Sequence, residues 1–115
     1  MLTLEMLREY GANTEEGLKR CMNNEAFYLR MVGMIAKDQH ADALETAVEQ
    51  GDLQAAFEAA HALKGTLANL ALTPALNAVT EILEPLRRRE ARTDYPECAR
   101  KVKEEMKKLQ EMIGG

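Results

Sequence analysis

The feature that most constrains the fold is a stripe of apolar residues at helical spacing in the middle of the chain. Between Asp52 and Thr73, apolar side chains recur every three or four residues, which places them on one face of a helix. Asp52 is a favourable N-cap for this helix, and Gly51 is a favourable C-cap for the helix before it. The pattern predicts a long amphipathic helix that runs to about Leu72. Its stripe consists of Leu53, Ala56, Phe57, Ala60, Leu63, Leu67 and Leu70.

Two further helices are predicted after this one. Thr73 followed by Pro74 indicates an N-cap and a first helical position, because proline lacks the amide hydrogen that is unpaired there. Pro85 is expected to kink or end this helix nearby, and Asp94 is expected to cap the last helix. The apolar stripes are Leu76, Val79, Leu83 and Leu86 in the first of the two, and Cys98, Val102, Met106, Leu109 and Ile113 in the second.

Shorter helices are predicted before Gly51. The first spans Leu2 to Tyr10 and ends at Gly11, and the second opens with Asn13 and Glu16, which have the spacing of a capping box. Asn23 and Asn24 interrupt the second helix, and the fourth begins near Asp38. Their apolar residues are Leu18, Cys21 and Met22 in the second helix, Phe27, Met31, Met34 and Ile35 in the third, and Leu44, Ala47 and Val48 in the fourth.

Strand-like alternation is nowhere sustained, so the predicted fold class is all-α. Long helices with short connections favour an up-and-down antiparallel four-helix bundle, here with extra short N-terminal helices. A chain of 115 residues has room for one modest core. We therefore predict a single domain over residues 1–115, with the bundle core at about residues 38–113 and the N-terminal helices at residues 2–37.

Composition excludes several functions. A net charge of −4 argues against a nucleic-acid partner. No apolar run is long enough to cross a membrane, and no signal-peptide pattern precedes the helices, so the expected location is the cytoplasm. Cys21 and Cys98 lie far apart in helical patterns and are predicted to be buried hydrophobic residues. Neither His40 nor His61 has metal-ligand spacing to a cysteine or carboxylate, so no metal and no cofactor is predicted.

The segment most informative about function is Ala60-His61-Ala62-Leu63-Lys64-Gly65. At about 100° per residue, His61 falls on the edge of the apolar stripe and is predicted to reach solvent. Gly65 lies one turn further on, although glycine inside a helix costs about 0.5–1 kcal/mol relative to alanine. Small neighbours are expected to leave the imidazole clear for another protein, and Lys64 offers a positive charge to an anion on His61. The same strip also contains Gln54, Phe57, Glu58, Ala62 and Ala68.

The run from His61 to Gly65 resembles the H-x-L-K-G signature of the histidine phosphotransfer (HPt) family, and the surrounding helix lengths are similar to that family over most of the chain. The resemblance implies that His61 accepts a phosphoryl group from a receiver-domain aspartate and passes it to another receiver domain. It also implies that the attacking atom is Nε2. Family members often have a second glycine ten residues after the histidine, where this chain has Ala71. Because Thr73 and Pro74 still supply a turn, we expect a changed helix end and retained activity.

From this resemblance His61 is predicted to be the phosphoryl acceptor and Lys64 to stabilise the phosphoryl charge. The predicted partners are response-regulator receiver domains and a hybrid sensor histidine kinase, with Mg²⁺ supplied only by the receiver domain and the chain itself a monomer. No phosphate-binding glycine loop and no kinase signature is present, so the chain is expected to relay phosphate without ATP-dependent kinase activity. The residues predicted to face the partner are Gln54, Phe57, Glu58, Ala62, Gly65 and Ala68.

Other interpretations remain open at this point. The chain could be a non-catalytic helical module that docks receiver or kinase domains, or a plain helical adaptor. It could stand alone or be one domain of a larger kinase. Gly65 could be a tight helix–helix contact instead of a docking position. Arg87, Arg88 and Arg89, with Arg92, could form an anion site, but arginines near a helix C-terminus usually complement the helix dipole and remain solvated.

Overall fold

The computed structural model describes residues 1–114, and every regular element in that range is helical. The predicted all-α class is therefore confirmed. A 3₁₀ helix, Met34–Lys37, lies between the third and fourth α-helices. In chain order the α-helices are α1 (Leu4–Tyr10), α2 (Thr14–Arg20), α3 (Glu25–Gly33), α4 (His40–Glu49), α5 (Leu53–Asn69), α6 (Thr73–Arg87) and α7 (Tyr95–Gly114).

The helices α4 to α7 form the predicted four-helix bundle. Each packs against two neighbours, with α4 and α6 both lying against α5 and α7. The connections between them are short, at residues 50–52, 70–72 and 88–94, so consecutive helices run antiparallel. The core is built from the apolar stripes of all four helices. Its buried members include Leu44, Leu63, Leu67, Val79, Ile82, Leu83, Leu86, Val102, Met106 and Leu109.

The boundaries of α5 and α6 follow local chemistry. The Asp52 carboxylate accepts a hydrogen bond from the Ala55 amide at 3.0 Å, as an N-cap should. Gly51 has φ of +70°, a left-handed conformation that glycine adopts without steric cost and that ends α4. Pro85 lies in the last turn of α6, which ends two residues later at Arg87. The predicted N-cap at Asp52 is confirmed, whereas the C-cap of α4 is Gln50, with Gly51 directly after it.

The turn between α5 and α6 differs from the prediction. The helix ends at Asn69 instead of about Leu72, because Ala71 adopts a left-handed conformation with φ of +55° and the Leu72 amide bonds back to the Leu67 carbonyl. The assignment of Thr73 as N-cap was wrong. Leu72 occupies that position, and the Thr73 hydroxyl instead donates to the Ala71 carbonyl at 3.4 Å. Pro74 accordingly lies at the second helical position.

The N-terminal helices are also shorter than predicted. The α2 helix ends at Arg20, because Met22 and Asn23 both have positive φ and form a turn, so the placement of Met22 in a helix was wrong. Met34 and Ile35 belong to the 3₁₀ helix and not to α3. The Asn13 side chain caps α2 by accepting from the Glu16 amide at 3.1 Å. Its own amide donates to another segment, so the capping box is only half formed.

The helices α1 to α3 cover the end of the bundle that contains the α5–α6 turn. The Asn13 amide donates to the Ala71 carbonyl at 2.9 Å, and the Tyr28 hydroxyl donates to the Leu70 carbonyl at 2.8 Å. The Ala75 amide in turn donates to the Tyr10 hydroxyl at 3.1 Å. These bonds satisfy backbone groups that the end of α5 and the start of α6 would otherwise leave unpaired. The N-terminal segment therefore holds the left-handed Ala71 in place.

The Tyr28→Phe variant tests this contact. Removing the hydroxyl leaves the buried Leu70 carbonyl without its partner, so we expect the free energy of unfolding at pH 7 to fall by about 1 kcal/mol. Burial, aided by the nearby Cys21 thiol, raises the pKa of Tyr28 from 10.0 to about 12. The wild-type protein should keep this contribution below pH 10 and lose it as the pH rises towards 12. Urea unfolding measures this free energy at pH 7 and across the alkaline range, where it should decline less steeply with pH in the variant than in the wild type. Equal free energies of unfolding at pH 7 would contradict the assignment.

Candidate functional site

His61 lies near the middle of α5 with its side chain exposed to solvent. Its neighbours along the helix divide between core and surface: Ala60 and Leu63 are fully buried, whereas Ala62 is exposed. This places His61 on the outer face of the helix, as the spacing of the apolar stripe indicates. The buried side of α5 therefore fixes the helix, and its outer side presents the imidazole to an approaching molecule.

The imidazole has one bulky neighbour. The Phe57 ring, one turn earlier on α5, is stacked on the His61 ring with centroids 5.6 Å apart and planes inclined by 20°. The expectation that only small residues surround the histidine is therefore wrong on this side. An i, i+4 pair of rings meets in this way because side chains of a helix lean towards its N-terminus. The Phe57 ring therefore covers the His61 imidazole on one side. The surface strip on the other side of the imidazole is open.

The open side is formed by the small residues predicted there. Apart from its two chain neighbours and the adjacent backbone of α5, a Cβ atom added at Gly65 would have no heavy atom within 4 Å among residues 1–114. The interpretation of Gly65 as a tight helix–helix contact is therefore excluded within the described part of the chain. Ala62 is exposed and Ala68 is half-buried. A partner can consequently approach the α5 backbone closely on this side of His61.

Lys64 lies three residues after His61 and is half-buried. It is seven residues after Phe57, two helical turns, so the two side chains lie on the same side of α5. Among the ion pairs of residues 1–114, none involves Lys64. Its ammonium group is therefore available to an anion attached to His61.

Gln54 and Glu58 lie on the strip before His61. The Gln54 amide donates to the Glu58 carboxylate at 3.1 Å, and its carbonyl oxygen accepts from the Arg89 guanidinium. This network links the first half of α5 to the residues that follow α6. Both side chains are exposed, as a partner-facing role requires.

Two arginines that the sequence interpretation left as solvated charges thus lie against α5. The Arg87 guanidinium carbon is 5.8 Å from the centroid of the Phe57 ring, and Arg89 bonds to Gln54. Helical spacing alone does not reveal these contacts, because they depend on how α6 lies against α5. The antiparallel topology was the available signal, since it brings the end of α6 beside the first half of α5.

Among the described residues, no group of three or more histidine, cysteine, aspartate or glutamate side chains is arranged to hold a metal ion. Cys21 and Cys98 are free thiols in the buried interior, as predicted. His40 is exposed at the start of α4, where its Nδ1 lies 3.0 Å from an Asp38 carboxylate oxygen. No helix in residues 1–114 combines the length and hydrophobicity that crossing a membrane requires.

Comparison with known families identifies the class of protein. The model of the Hpt domain matches residues 37–112, which extend from the end of the 3₁₀ helix almost to the end of α7 and include His61. This chain belongs to the Hpt domain family, whose members take part in histidine phosphotransfer in phosphorelays. No curated protein and no solved structure matches the chain.

Proposed function

We propose that this chain is a phosphorelay intermediate that accepts a phosphoryl group on His61 from a receiver-domain aspartate and passes it to a second receiver domain. The observation that carries the proposal is the exposed His61 within the Hpt match, beside an open glycine and the half-buried Lys64. Each of these features suits transfer between two protein surfaces. A buried or crowded histidine would not be accessible to a receiver aspartate.

The reaction needs little from the chain beyond a positioned nucleophile. In the forward step the lone pair of a neutral imidazole nitrogen forms a bond to phosphorus while the aspartyl oxygen–phosphorus bond breaks, which leaves the aspartate as a carboxylate. The proton on the other ring nitrogen is released to solvent. The reverse sequence delivers the group to the next aspartate. Positioning and charge stabilisation dominate phosphoryl transfer, and both can come from a fixed helix face.

Lys64 is proposed to stabilise the phosphoryl oxygens during transfer. The Lys64→Ala variant should retain the fold, because a half-buried surface lysine contributes mainly its stem to packing. We expect its transfer rate to fall about tenfold to hundredfold, the effect of one lost charged contact in the transition state. Single-turnover transfer from a phosphorylated receiver domain measures this rate, with Lys107→Ala, an exposed lysine on α7, as the charge-matched control. Equal rates in the two variants would remove Lys64 from the site.

The surface around His61 is proposed to bind receiver domains and a hybrid sensor histidine kinase. Its members are Gln54, Phe57, Glu58, Ala62, Gly65 and Ala68, of which all are exposed or half-buried. Mg²⁺ is expected to come with the receiver domain. We further propose that the chain works as a monomer in the cytoplasm, and that residues 1–115 act as one domain, since α1 to α3 bond directly to the α5–α6 turn.

The decisive experiment is incubation of the chain with a phosphorylated receiver domain, followed by a search for phosphate that is labile in acid and stable in alkali. Such phosphate on this chain supports the proposed relay. Docking of the receiver domain without any such phosphate would favour the alternative, a non-catalytic binding module.

A further inference from the structure

A cavity of about 480 Å³ lies between the N-terminal helices and the end of α5. One wall comes from the end of α2, from α3 and from the 3₁₀ helix, and the other includes Thr66, Asn69 and Leu70. Six of its ten lining residues precede residue 37, where the Hpt match begins. The cavity is also separate from the surface around His61, because Asn69 lies eight residues later, about 12 Å along the axis of α5.

Most of the side chains that line this cavity are apolar. Cys21 and Leu70 are buried, Phe27 and Met31 are half-buried, and Met34 is 62% exposed. Methionine side chains are unbranched and flexible, so they adapt to the shape of a bound molecule. Small-molecule sites in proteins are mostly apolar cavities of about 300–1,000 Å³, and this cavity has that size and character. An alkyl chain can therefore be removed from water here.

Two charged residues, Arg20 and Asp38, line the same cavity. The Arg20 side chain is 49% exposed, and its Nε donates to the Glu16 carboxylate at 3.1 Å. Within residues 1–114, its two terminal nitrogens donate to no partner. The Asp38 side chain is only 12% exposed, and its carboxylate accepts from the His40 amide at 2.8 Å and lies 3.0 Å from the Nδ1 of that residue. The charge that the cavity offers to a bound molecule is therefore positive.

We propose that this cavity binds a free amphipathic carboxylate, of the class of medium-chain fatty acids. The alkyl chain lies against Phe27 and Met31, and the carboxylate accepts hydrogen bonds from the terminal nitrogens of Arg20. A guanidinium group suits this role because it binds a carboxylate through two parallel hydrogen bonds. The side-chain amide of Asn69, on the opposite wall, is a further donor. The inference does not depend on phosphorylation of His61.

The test is a titration of the full ¹⁵N-labelled chain with octanoate, below the concentration at which octanoate forms micelles, followed by NMR. We expect saturable shifts of the backbone amides of Phe27, Met31 and Leu70. The amide of Tyr95, at the opposite end of the bundle, should not shift. Affinity should rise about threefold to fourfold for each methylene added between hexanoate and octanoate, because each buried methylene contributes a similar free energy.

Arg20→Gln tests the contact with the carboxylate. The variant should fold normally, because the ion pair that it removes is exposed and contributes little to stability. It should bind octanoate about fivefold more weakly than the wild type, the size expected for one exposed charged contact, and bind octanol equally well. The matched control is Lys19→Gln, which removes the same charge from an exposed neighbour on α2 that does not line the cavity. This control should bind both compounds like the wild type.

Three outcomes would overturn the inference. Octanoate that causes no saturable shift in the wild type, or that shifts amides away from the cavity, would show that the cavity does not bind this class of molecule. Equal losses of octanoate affinity in Arg20→Gln and Lys19→Gln would show that only the net charge of the chain matters. Equal losses of octanoate and octanol affinity in Arg20→Gln would show that the variant alters the cavity and that Arg20 does not bind the carboxylate.

Discussion

The His61→Gln variant is expected to take up no acid-labile phosphate from a phosphorylated receiver domain. A glutamine amide is close in size to imidazole, but the lone pair of its nitrogen is delocalised into the carbonyl, so it cannot attack phosphorus. The side chain at position 61 is exposed and stacks on the half-buried Phe57 ring at the surface, so its replacement leaves the core intact and the variant should fold normally. The expected loss is complete within the sensitivity of the assay, since no other group replaces the nucleophile.

His40→Gln is the matched control, because His40 is the other histidine of the chain and is also exposed. It differs in its surroundings: it begins α4 and is bonded to Asp38, with no lysine or glycine in the arrangement found around His61. The control should accept phosphate at the wild-type rate. Acid-labile phosphate on the His61→Gln variant, located by mass spectrometry at another residue, would disprove the assignment of the acceptor.

The sequence was sufficient to predict the bundle because its helices carry long apolar stripes. The stripe of α5 and the residues Gly51 and Asp52 encode local preferences that agree with the packing of the whole chain. The prediction failed where a turn depends on residues without a strong turn preference. Met22 and Ala71 both have positive φ, a conformation that methionine and alanine seldom adopt, and composition gives no warning of it.

Ala71 illustrates what distant contacts can impose. A left-handed alanine costs about 1–2 kcal/mol, which glycine would avoid. The Ala71 carbonyl accepts from the Asn13 amide, and the preceding Leu70 carbonyl accepts from Tyr28. These contacts come from residues more than forty positions away, so no local pattern around Ala71 could reveal them. They stabilise at position 71 the left-handed conformation that glycine favours at the end of a helix, ten residues after His61.

The candidate site, like the fold, could be predicted from the sequence only in part. The exposure of His61 and the open surface at Gly65 follow from their positions on one helix, which the apolar spacing defines. The Phe57 stack was missed, because the spacing gives the side of the helix but not the rotamers of two neighbouring rings. The approach of Arg87 was missed for a further reason: it depends on the alignment of α6 along α5, which only the packed core determines.

The Gly65→Gln variant should lose transfer while the fold remains as stable as before or becomes more stable. The aspartate of a receiver domain lies in a recess, so the surface around His61 must come into van der Waals contact with the partner. A glutamine side chain one turn after His61 would hold the two surfaces apart by several ångströms. Displacements of about 1 Å can cost a hundredfold in rate, so we expect a loss of about a hundredfold or more in receiver-dependent transfer.

The free energy of unfolding of the Gly65→Gln variant should stay the same or rise, although its transfer rate falls. No atom among residues 1–114 occupies the space that a Cβ at Gly65 would fill, and glutamine is a better helix former than glycine by roughly 0.5–1 kcal/mol. Ala43→Gln, at an exposed position on α4, introduces the same side chain away from His61 and should leave transfer unchanged.

Thermal melting and single-turnover transfer on both variants separate docking from packing. A lowered melting temperature for Gly65→Gln would show that this surface is packed, whereas undiminished transfer would show that the partner approaches His61 from another side. Loading by phosphoramidate adds a final distinction, because this small donor should still reach His61 in the Gly65→Gln variant if the glutamine obstructs only a protein partner.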